Sequence, residues 1–428
     1  MVTTRSSSRL RVKITSAETV ANNEDLFQEI LPRLPTKTLL KFKLVSKPWL
    51  SLISSTHFSL SHTRFLQNNH SLKPHALFLD ILYEKLPSKF MFLHLNPDIN
   101  PLPSFNFIDV RCVKIIQSCI GLLLWVSVSD DGLRFFVCNP TTKKFKVISI
   151  PSRQEIYNSY DYVANSMGLD LSKSTKLFLD NDASVNLAFD PIVRFCQHGV
   201  NLAFDPYKSP HYKISSIWRE VLFSKDPENT TFYIFPRYSV DIYSSETNSW
   251  SVSKIEFNSK KYIHADHAVF FKGAIHWDCS DTQSWYIDVN NECLKTMPMP
   301  RVNKGYRYFG ESGGHLHLAV ATEFPHLEFT IFEMEADYSS WSSKYNVTLL
   351  VVPRRRSRIQ SYLLSYALQC DEKQGDSIVI ALSNDKGYSY NLESGTVQKL
   401  WCSNVKKYEH DHTSRFHALQ YFESLSCI

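Results

Sequence analysis

The stretch EDLFQEILPRLPTKTLLKFKLVSKPWLSLISSTHF, residues 24–58, decides how this chain is read. It carries Leu26, Ile30, Leu31, Leu34, Leu39, Leu40, Phe42, Leu44, Val45, Trp49, Leu52 and Ile53. A segment below ~40 residues cannot hide that much apolar surface alone and usually needs a metal, disulfides or a partner. Cys112 is the one cysteine before residue 119, so neither staple is available. The segment reads as half of an interface.

Its local signals are helical. Asn23 can cap a first helix, and Glu24 and Asp25 favour its positive end. Leu26, Ile30 and Leu31 share a face at helical spacing, and Pro32 ends or kinks the helix. Thr36 can cap a second short helix bearing Leu39 and Leu40. Ser46 can cap a third, with Pro48 in its first turn and Trp49, Leu52 and Ile53 inward. Three short helices are predicted over residues 22–66, behind a disordered basic tail at 1–21. Arg5, Arg9, Arg11 and Lys13 among serines in that tail resemble a transit peptide in composition. No amphipathic pattern follows, so a plain basic tail is the expectation.

From about residue 75 the periodicity changes to short β-rich runs between turns. Residues 119–150 read as three strands turning at Asp131-Gly132 and at Asn139-Pro140-Thr141-Thr142; residues 268–297 read as a four-strand meander turning at Lys272-Gly273. The turn before the last strand recurs: Asn139 leads to Phe145, Ser244 to Trp250, Asp288 to Leu294 and Asn391 to Val397, six positions on, while Glu333 leads to Trp341. The leading positions are spaced 105, 44, 45 and 58. Periods of ~40–50 residues holding about four strands are the signature of propeller blades. Six or seven blades are expected over residues 67–428, with one inside the long first gap near Asp205-Pro206. Residues 72–95 would form the first blade or close the ring with C-terminal strands. The gap also holds NLAFDP twice, at 186–191 and 201–206. The second copy, running into YKISSI, is expected to enter the fold, leaving 186–200 as an excursion.

Composition fixes the class. With 43% hydrophobic and 13% aromatic residues in 428, the chain is globular and multidomain. No apolar run reaches the ~18 residues of a membrane span. Up to residue 66 there are ten Lys/Arg and four Asp/Glu, a balance of +6; the whole chain carries +5, so residues 67–428 carry −1. The larger part therefore has no broad field for nucleic acid. Nine cysteines without a CxxC pair, some in apolar runs as at Cys138 and Cys293, suit reduced thiols in the nucleus and cytoplasm. The sequons at Asn229 and Asn346 read as chance matches.

The run EILPRLPTKTLLKFKLVSKPWLSLI at 29–53 resembles the F-box, the adaptor-binding module of Skp–cullin–F-box ubiquitin ligases. Leu34-Pro35, Leu39-Leu40, Val45-Ser46-Lys47 and Trp49 carry the resemblance. The family often begins with Leu-Pro where Asn22-Asn23 stand, and Pro32 and Pro48 occupy positions usually polar or basic. CIGLLL at 119–124, VCNPTTKKF at 137–145, LAFDPYKSPHYKI at 202–214, IYSSETNSW at 242–250, KGAIHW at 272–277 and ESGGHLHL at 311–318 resemble the kelch-like F-box-associated region of plant F-box proteins. The resemblance implies an α+β multidomain chain, a small F-box followed by an all-β propeller. It implies a non-catalytic substrate-recognition subunit without a cofactor, whose partners are a Skp-type adaptor, cullin through it, and a target protein. The adaptor-binding residues implied are Leu26, Ile30, Leu31, Leu34, Pro35, Leu39, Leu40, Val45 and Trp49. Arg33, Lys37, Lys41, Lys43 and Lys47 suit the family's acidic adaptor.

Two other readings stay open: a propeller-based carbohydrate-binding protein or glycosidase with an accessory helical segment, and an F-box protein acting outside the ligase. Phosphate loops GxxxxGK[ST] and GxGxxG are absent, as are GxSxG and HExxH. His264, Asp266 and His267, and Glu409 to His412, have metal-ligand chemistry but no second ligand pair at a recognisable spacing. His315 and His317 alternate on one strand face and read as polar propeller lining. Arg354, Arg355, Arg356 and Arg358 read as a solvated loop. Trp218, Trp277, Trp285 and Tyr306 are candidates for either a recognition surface or the core.

Overall fold

The computed structural model describes residues 24–69, 72–80, 91–95, 105, 107–108, 113–129, 132–149, 156–158, 176–177, 192–223, 232–258, 263, 265, 268–279, 281–302, 305–322, 327–349, 363–370, 375–382, 386–400, 402–403 and 417–428. The chain divides into two compact units, Met1–Leu72 and Lys73–Ile428. The expected basic tail, the first NLAFDP copy, the Arg354–Arg358 run and the cluster at 409–412 lie outside the described residues, as do His264, Asp266 and His267.

Among its described residues the first unit has four α-helices where three were expected: α1 Glu24–Ile30, α2 Thr36–Phe42, α3 Lys47–Ser54 and α4 Thr56–Asn68. Pro32 ends α1 as expected, in a 3-10 turn at Leu31–Arg33. Ser46 caps α3, accepting from the Trp49 amide at 3.3 Å, with Pro48 in the first turn. The cap of the second helix lies one residue earlier than expected: Pro35 holds the cap position and Thr36 is already helical. The fourth helix follows α3 directly. Ser55 caps it, accepting from the Phe58 amide at 3.1 Å.

The second unit is a six-bladed propeller. Blade 1 joins the two ends of the unit: Ala76–Asp80 and Met91–His94 pair with each other, His417–Tyr421 flanks the former and Cys402–Ser403 the latter. The N-terminal strands thus close the ring with C-terminal ones. Blade 2 is Val113–Cys119, Leu122–Ser129, Gly132–Asn139 and Lys144–Ile148. Blade 3 is Ile192–Ala203, Lys213–Phe223, Phe232–Ser244 and Ser249–Asn258, with Ile156–Asn158 and Lys176–Leu177 added in parallel. Blade 4 is Val269–Phe271, Ala274–His276, Gln283–Asp288 and Cys293–Pro298; blade 5 is Tyr306–Ser312, His315–Ala321, Leu327–Met334 and Trp341–Leu349; blade 6 is Leu363–Gln369, Ser377–Leu382, Lys386–Asn391 and Val397–Leu400. The first strands of blades 2 and 3 touch, as do those of blades 4 and 5 and of 5 and 6; His417–Tyr421 of blade 1 touches the first strands of blades 6 and 2, and Ile192–Ala203 of blade 3 meets Ala274–His276 of blade 4. The circuit is closed.

The recurrent sequence motif has a backbone cause. In blades 2, 3, 4 and 6 the residue four positions past the motif's leader takes positive φ: Lys143 (57°), Asn248 (55°), Glu292 (48°) and Gly395 (68°). The leader's side chain pins the start of the turn. Asn139 Oδ1 accepts from the Thr141 amide at 2.9 Å, Asp288 Oδ1 from Asn290 at 3.0 Å and Asn391 Oδ1 from Ser394 at 2.7 Å. Two-residue turns with both φ positive join the first two strands at Ile120-Gly121, Lys272-Gly273 and Gly313-Gly314.

Two expectations are corrected. Among the described residues no additional blade occupies the long gap before Ser244: Asp205-Pro206 is the turn between the first two strands of blade 3, whose extra parallel strands take up part of the gap. Residues 192–200 are not an excursion. They are the first part of a 12-residue strand that continues into the second NLAFDP copy, pairing with Lys213–Phe223 along its length. Asn201 and Leu202 of that copy are buried, as expected of the copy that enters the fold.

Candidate adaptor-binding surface on the helical unit

The helical unit has a small core of Phe27, Leu31, Leu39, Ile53 and Phe58. Trp49 stands between Phe27, at 4.8 Å between ring centroids, and Phe42, at 5.1 Å. His62 of α4 is fully buried and its Nε2 donates to the Leu34 carbonyl at 3.0 Å, tying the loop before α2 to α4. Burial lowers the His62 pKa, against the Leu34 bond that raises it. The missed fourth helix therefore anchors the Leu34-Pro35 loop.

The nine residues implied by the resemblance fall into three groups. Leu31 and Leu39 belong to the core. Leu26, Leu34, Leu40 and Trp49 are half-buried, while Ile30, Pro35 and Val45 are exposed. Leu44 and Leu50 were not among the nine, yet the large exposed apolar side chains of this unit are Ile30 (44%), Leu44 (88%), Val45 (62%) and Leu50 (47%). The chain geometry explains Leu44 and Val45. The α2 helix closes with the Leu44 amide on Lys41 O and the Val45 amide on Phe42 O, both at 3.0 Å, and Ser46 opens α3. The two apolar residues are left in the corner between helices. The available signal was that Leu44 belongs to no helical face and Leu50 stands one residue off the Trp49–Ile53 line.

Residues 30–79 contain no Asp or Glu. Arg33, Lys41 and Lys47 are exposed, with Lys37 and Lys43 half-buried. The exposed Leu44-Val45 pair, with exposed Lys41 and Lys47 on either side of it in the chain, fits an acidic surface.

In the propeller, polar side chains peg blade to blade. Gln117 Nε2 donates to Leu202 O at 3.0 Å and its Oε1 accepts from the Leu202 amide at 2.7 Å. Trp277 Nε1 donates to Asn201 Oδ1 at 3.1 Å, and Asn201 Nδ2 to Ala265 O at 2.7 Å. Arg307 Nε donates to Asp278 Oδ2 at 2.8 Å across blades 4 and 5. The motif tryptophans serve the same end, Trp250 Nε1 reaching Ser149 O at 2.6 Å and Trp341 Nε1 reaching Pro298 O at 2.8 Å. Trp218 and Trp277 are core; Trp285 and Tyr306 are half-buried.

His315 and His317 lie on the second strand of blade 5 and face Glu333, at 3.4 Å and 2.9 Å. Lys344 joins Glu333 at 2.6 Å to Asp376 of blade 6 at 3.0 Å. Burial raises the Glu333 pKa, but hydrogen bonds from Lys344 and His317 outweigh it and hold it low. Burial also opposes the charge on Lys344, and its two carboxylate partners more than restore it. The ammonium occupies the place a cation would take, so the cluster is a compensated seam. Among the described residues no group of three or more His, Cys, Asp or Glu could hold a metal, and no helix is long and apolar enough to cross a membrane.

An F-box domain model matches residues 23–60, the span of the helical unit from before α1 into α4. The Arabidopsis thaliana F-box protein At5g07610 is 27% identical over 96% of this chain and 94% of its own length. The Arabidopsis thaliana F-box protein At5g49610 is 24% identical over 76% of this chain and 79% of its own. The putative F-box/kelch-repeat protein At1g12870 of the same plant is 29% identical over 31% of this chain and 32% of its own. The chain therefore carries an F-box domain at residues 23–60 followed by a six-bladed propeller, and over nearly its whole length it is similar to an F-box protein of a plant.

Proposed function

We propose that this chain is the substrate-recognition subunit of a Skp–cullin–F-box ubiquitin ligase. The observation that carries the reading is the exposed apolar pair Leu44-Val45, flanked in the chain by exposed Lys41 and Lys47 within residues 30–79, a stretch without Asp or Glu. A Skp-type adaptor covers it, with Leu26, Leu34, Pro35, Leu40 and Trp49 at its margin and Leu31 and Leu39 holding the helices beneath. Cullin is reached through the adaptor. The propeller holds a target protein in the nucleus or cytoplasm. The chain supplies no catalytic group; its contribution is proximity, which raises the effective concentration of the acceptor lysine at the transfer centre. Affinity purification from plant cells with cullin activation and the proteasome blocked tests this. The expected result is recovery of adaptor, cullin and a target; recovery of neither adaptor nor cullin refutes it.

A further inference from the structure

Blade 2 differs from the others at its rim. Its last strand, Lys144–Ile148, pairs with Gly132–Asn139 from Asn139↔Lys144 to Phe135↔Ile148 without a register shift. Among the described residues no strand pairs with its other edge. A regular open edge is a template for another chain, and proteins usually blunt it with bulges, short strands or charge. Four of the other five rims are bulged or short. Bulges interrupt the last ladders of blades 3 and 5, at Ser239/Asp241 and Ile331/Phe332. The last strand of blade 6 has four residues and that of blade 1 has two. Blade 4 ends in a regular strand that exposes no large apolar side chain.

Lys144–Ile148 exposes Phe145 (43%) and Val147 (51%). The strand period places these two on one face and Lys144 and Lys146 on the other. Phe145 is seated against Phe136 and Phe107, at 6.3 Å and 6.4 Å between centroids, so its exposed part is held in place. Lys146 lies over the Tyr243 ring at 5.7 Å. Residues 132–149 carry Arg134, Lys143, Lys144 and Lys146 and no Asp or Glu.

We propose that the outer edge of Lys144–Ile148 is a docking site for an extended acidic segment of a partner protein. The segment adds to blade 2 as a further strand. Its apolar side chains lie beside Phe145 and Val147, and its carboxylates lie beside Lys144 and Lys146. Charge selects this occupant. A second copy of the same edge would set lysines against lysines. A nucleic acid strand could use the phenylalanine and the lysines, but would leave the open backbone ladder unused. The proposal goes beyond the ligase reading and does not depend on it, because adaptor capture is a separate measurement on the other unit.

The test is fluorescence anisotropy with the full chain and two labelled peptides, Glu-Val-Glu-Phe-Glu-Val-Glu and its counterpart with every Glu replaced by Lys. The acidic peptide is expected to bind and the basic one to bind at least about tenfold more weakly, a difference of ~1.4 kcal/mol. Val147→Asp, and separately Lys144→Glu with Lys146→Glu, should each weaken the acidic peptide about tenfold or more. Thermal unfolding of each variant reports that the fold is kept; Val147→Asp changes a half-exposed side chain and is the variant that decides. The proposal is overturned if the acidic peptide does not bind, if both peptides bind alike, or if folded Val147→Asp binds as the parent does. It is also overturned if an oligothymidine displaces the peptide and loses affinity in the same variants, or if the edge proves to join two copies that Val147→Asp separates.

Discussion

Truncating Leu44 and Val45 together to alanine separates adaptor binding from folding. Leu44 is 88% exposed and Val45 62% exposed, so neither side chain supports the helical core. A Leu or Val side chain moved wholly out of water contributes about 1.5–3 kcal/mol. Scaled by their exposure, the pair offers a partner roughly 3 kcal/mol, on the order of a hundredfold in Kd. The thermal transition and helical circular dichroism of the variant should match the parent. Leu39→Ala is the contrast: Leu39 is fully buried, and its truncation should cost about 2–5 kcal/mol of folding free energy. A unit with so small a core loses its helices at that cost, and binding goes with them. Leu34→Ala with Pro35→Ala is a poorer probe, because the Leu34 carbonyl is held by buried His62. The assay is calorimetric titration of the purified full chain with a recombinant Skp-type adaptor. An affinity within about threefold of the parent for Leu44→Ala/Val45→Ala would remove the corner from the interface and refute the argument from exposure.

Three further outcomes follow from the propeller. His276 is buried, its Nδ1 donating to Ala274 O at 3.1 Å and its Nε2 accepting from Tyr338 Oη at 2.9 Å; burial lowers its pKa to about 4 from 6.5, against backbone bonds that raise it. The unfolded state binds more protons between those values, so this stability is complete above pH 6.5 and is lost, by roughly 3 kcal/mol, as pH falls towards 4; urea unfolding across that range should be flatter for His276→Phe, and an unchanged slope would sink the assignment. Asn139→Ala removes the amide that donates to Ser424 O at 3.1 Å and Ser426 O at 2.9 Å, so thermal unfolding should show a loss of about 2–4 kcal/mol; a loss below about 1 kcal/mol would show that the C-terminal segment is not clasped by it. Arg307→Ala leaves Asp278, 8% exposed, without its guanidinium and should cost about 3–5 kcal/mol in chemical unfolding, whereas a neutral result would show the seam between blades 4 and 5 is held by other contacts.

What was legible in the chain was what local chemistry enforces. The propeller could be read from Asn139, Ser244, Asp288 and Asn391 because each leader must hold a tight turn whose fifth residue takes positive φ. That constraint acts within one hairpin and leaves its mark at a fixed spacing. The helical unit could be read from its apolar surplus and from Ser46 and Pro48. Which apolar residues are surplus could not be read from their number. Leu39 and Leu44 are equally hydrophobic, and only the packing of α2 against its neighbours buries one and leaves the other in a corner. The pegs Gln117, Asn201 and Arg307 were illegible for the same reason: their partners are brought near by ring closure, 85 residues away in the case of Leu202.

The duplicated NLAFDP shows where a repeat misleads. Two identical hexapeptides 15 residues apart suggest rivals for one slot, which makes the residues between them look dispensable. The ladder shows otherwise. Ile192–Ala203 pairs with Lys213–Phe223 through Ile192↔Phe223 at one end and Ala203↔Lys213 at the other, so the intervening segment is the strand itself and the second copy is its exit. Gly199 lies where a Cβ would meet Ala265 at 2.5 Å, so the strand also sits close against the connection into blade 4. Deleting 186–200 would strip nine residues from the first strand of blade 3 and break its contacts with the first strand of blade 2. The deletion should therefore unfold the propeller instead of stabilising it. Arg194 should resist cleavage in limited proteolysis, because it is paired with Val221. A soluble deletion variant with an undiminished melting temperature would mean that the residues before 186 can take the place of 192–200 in register.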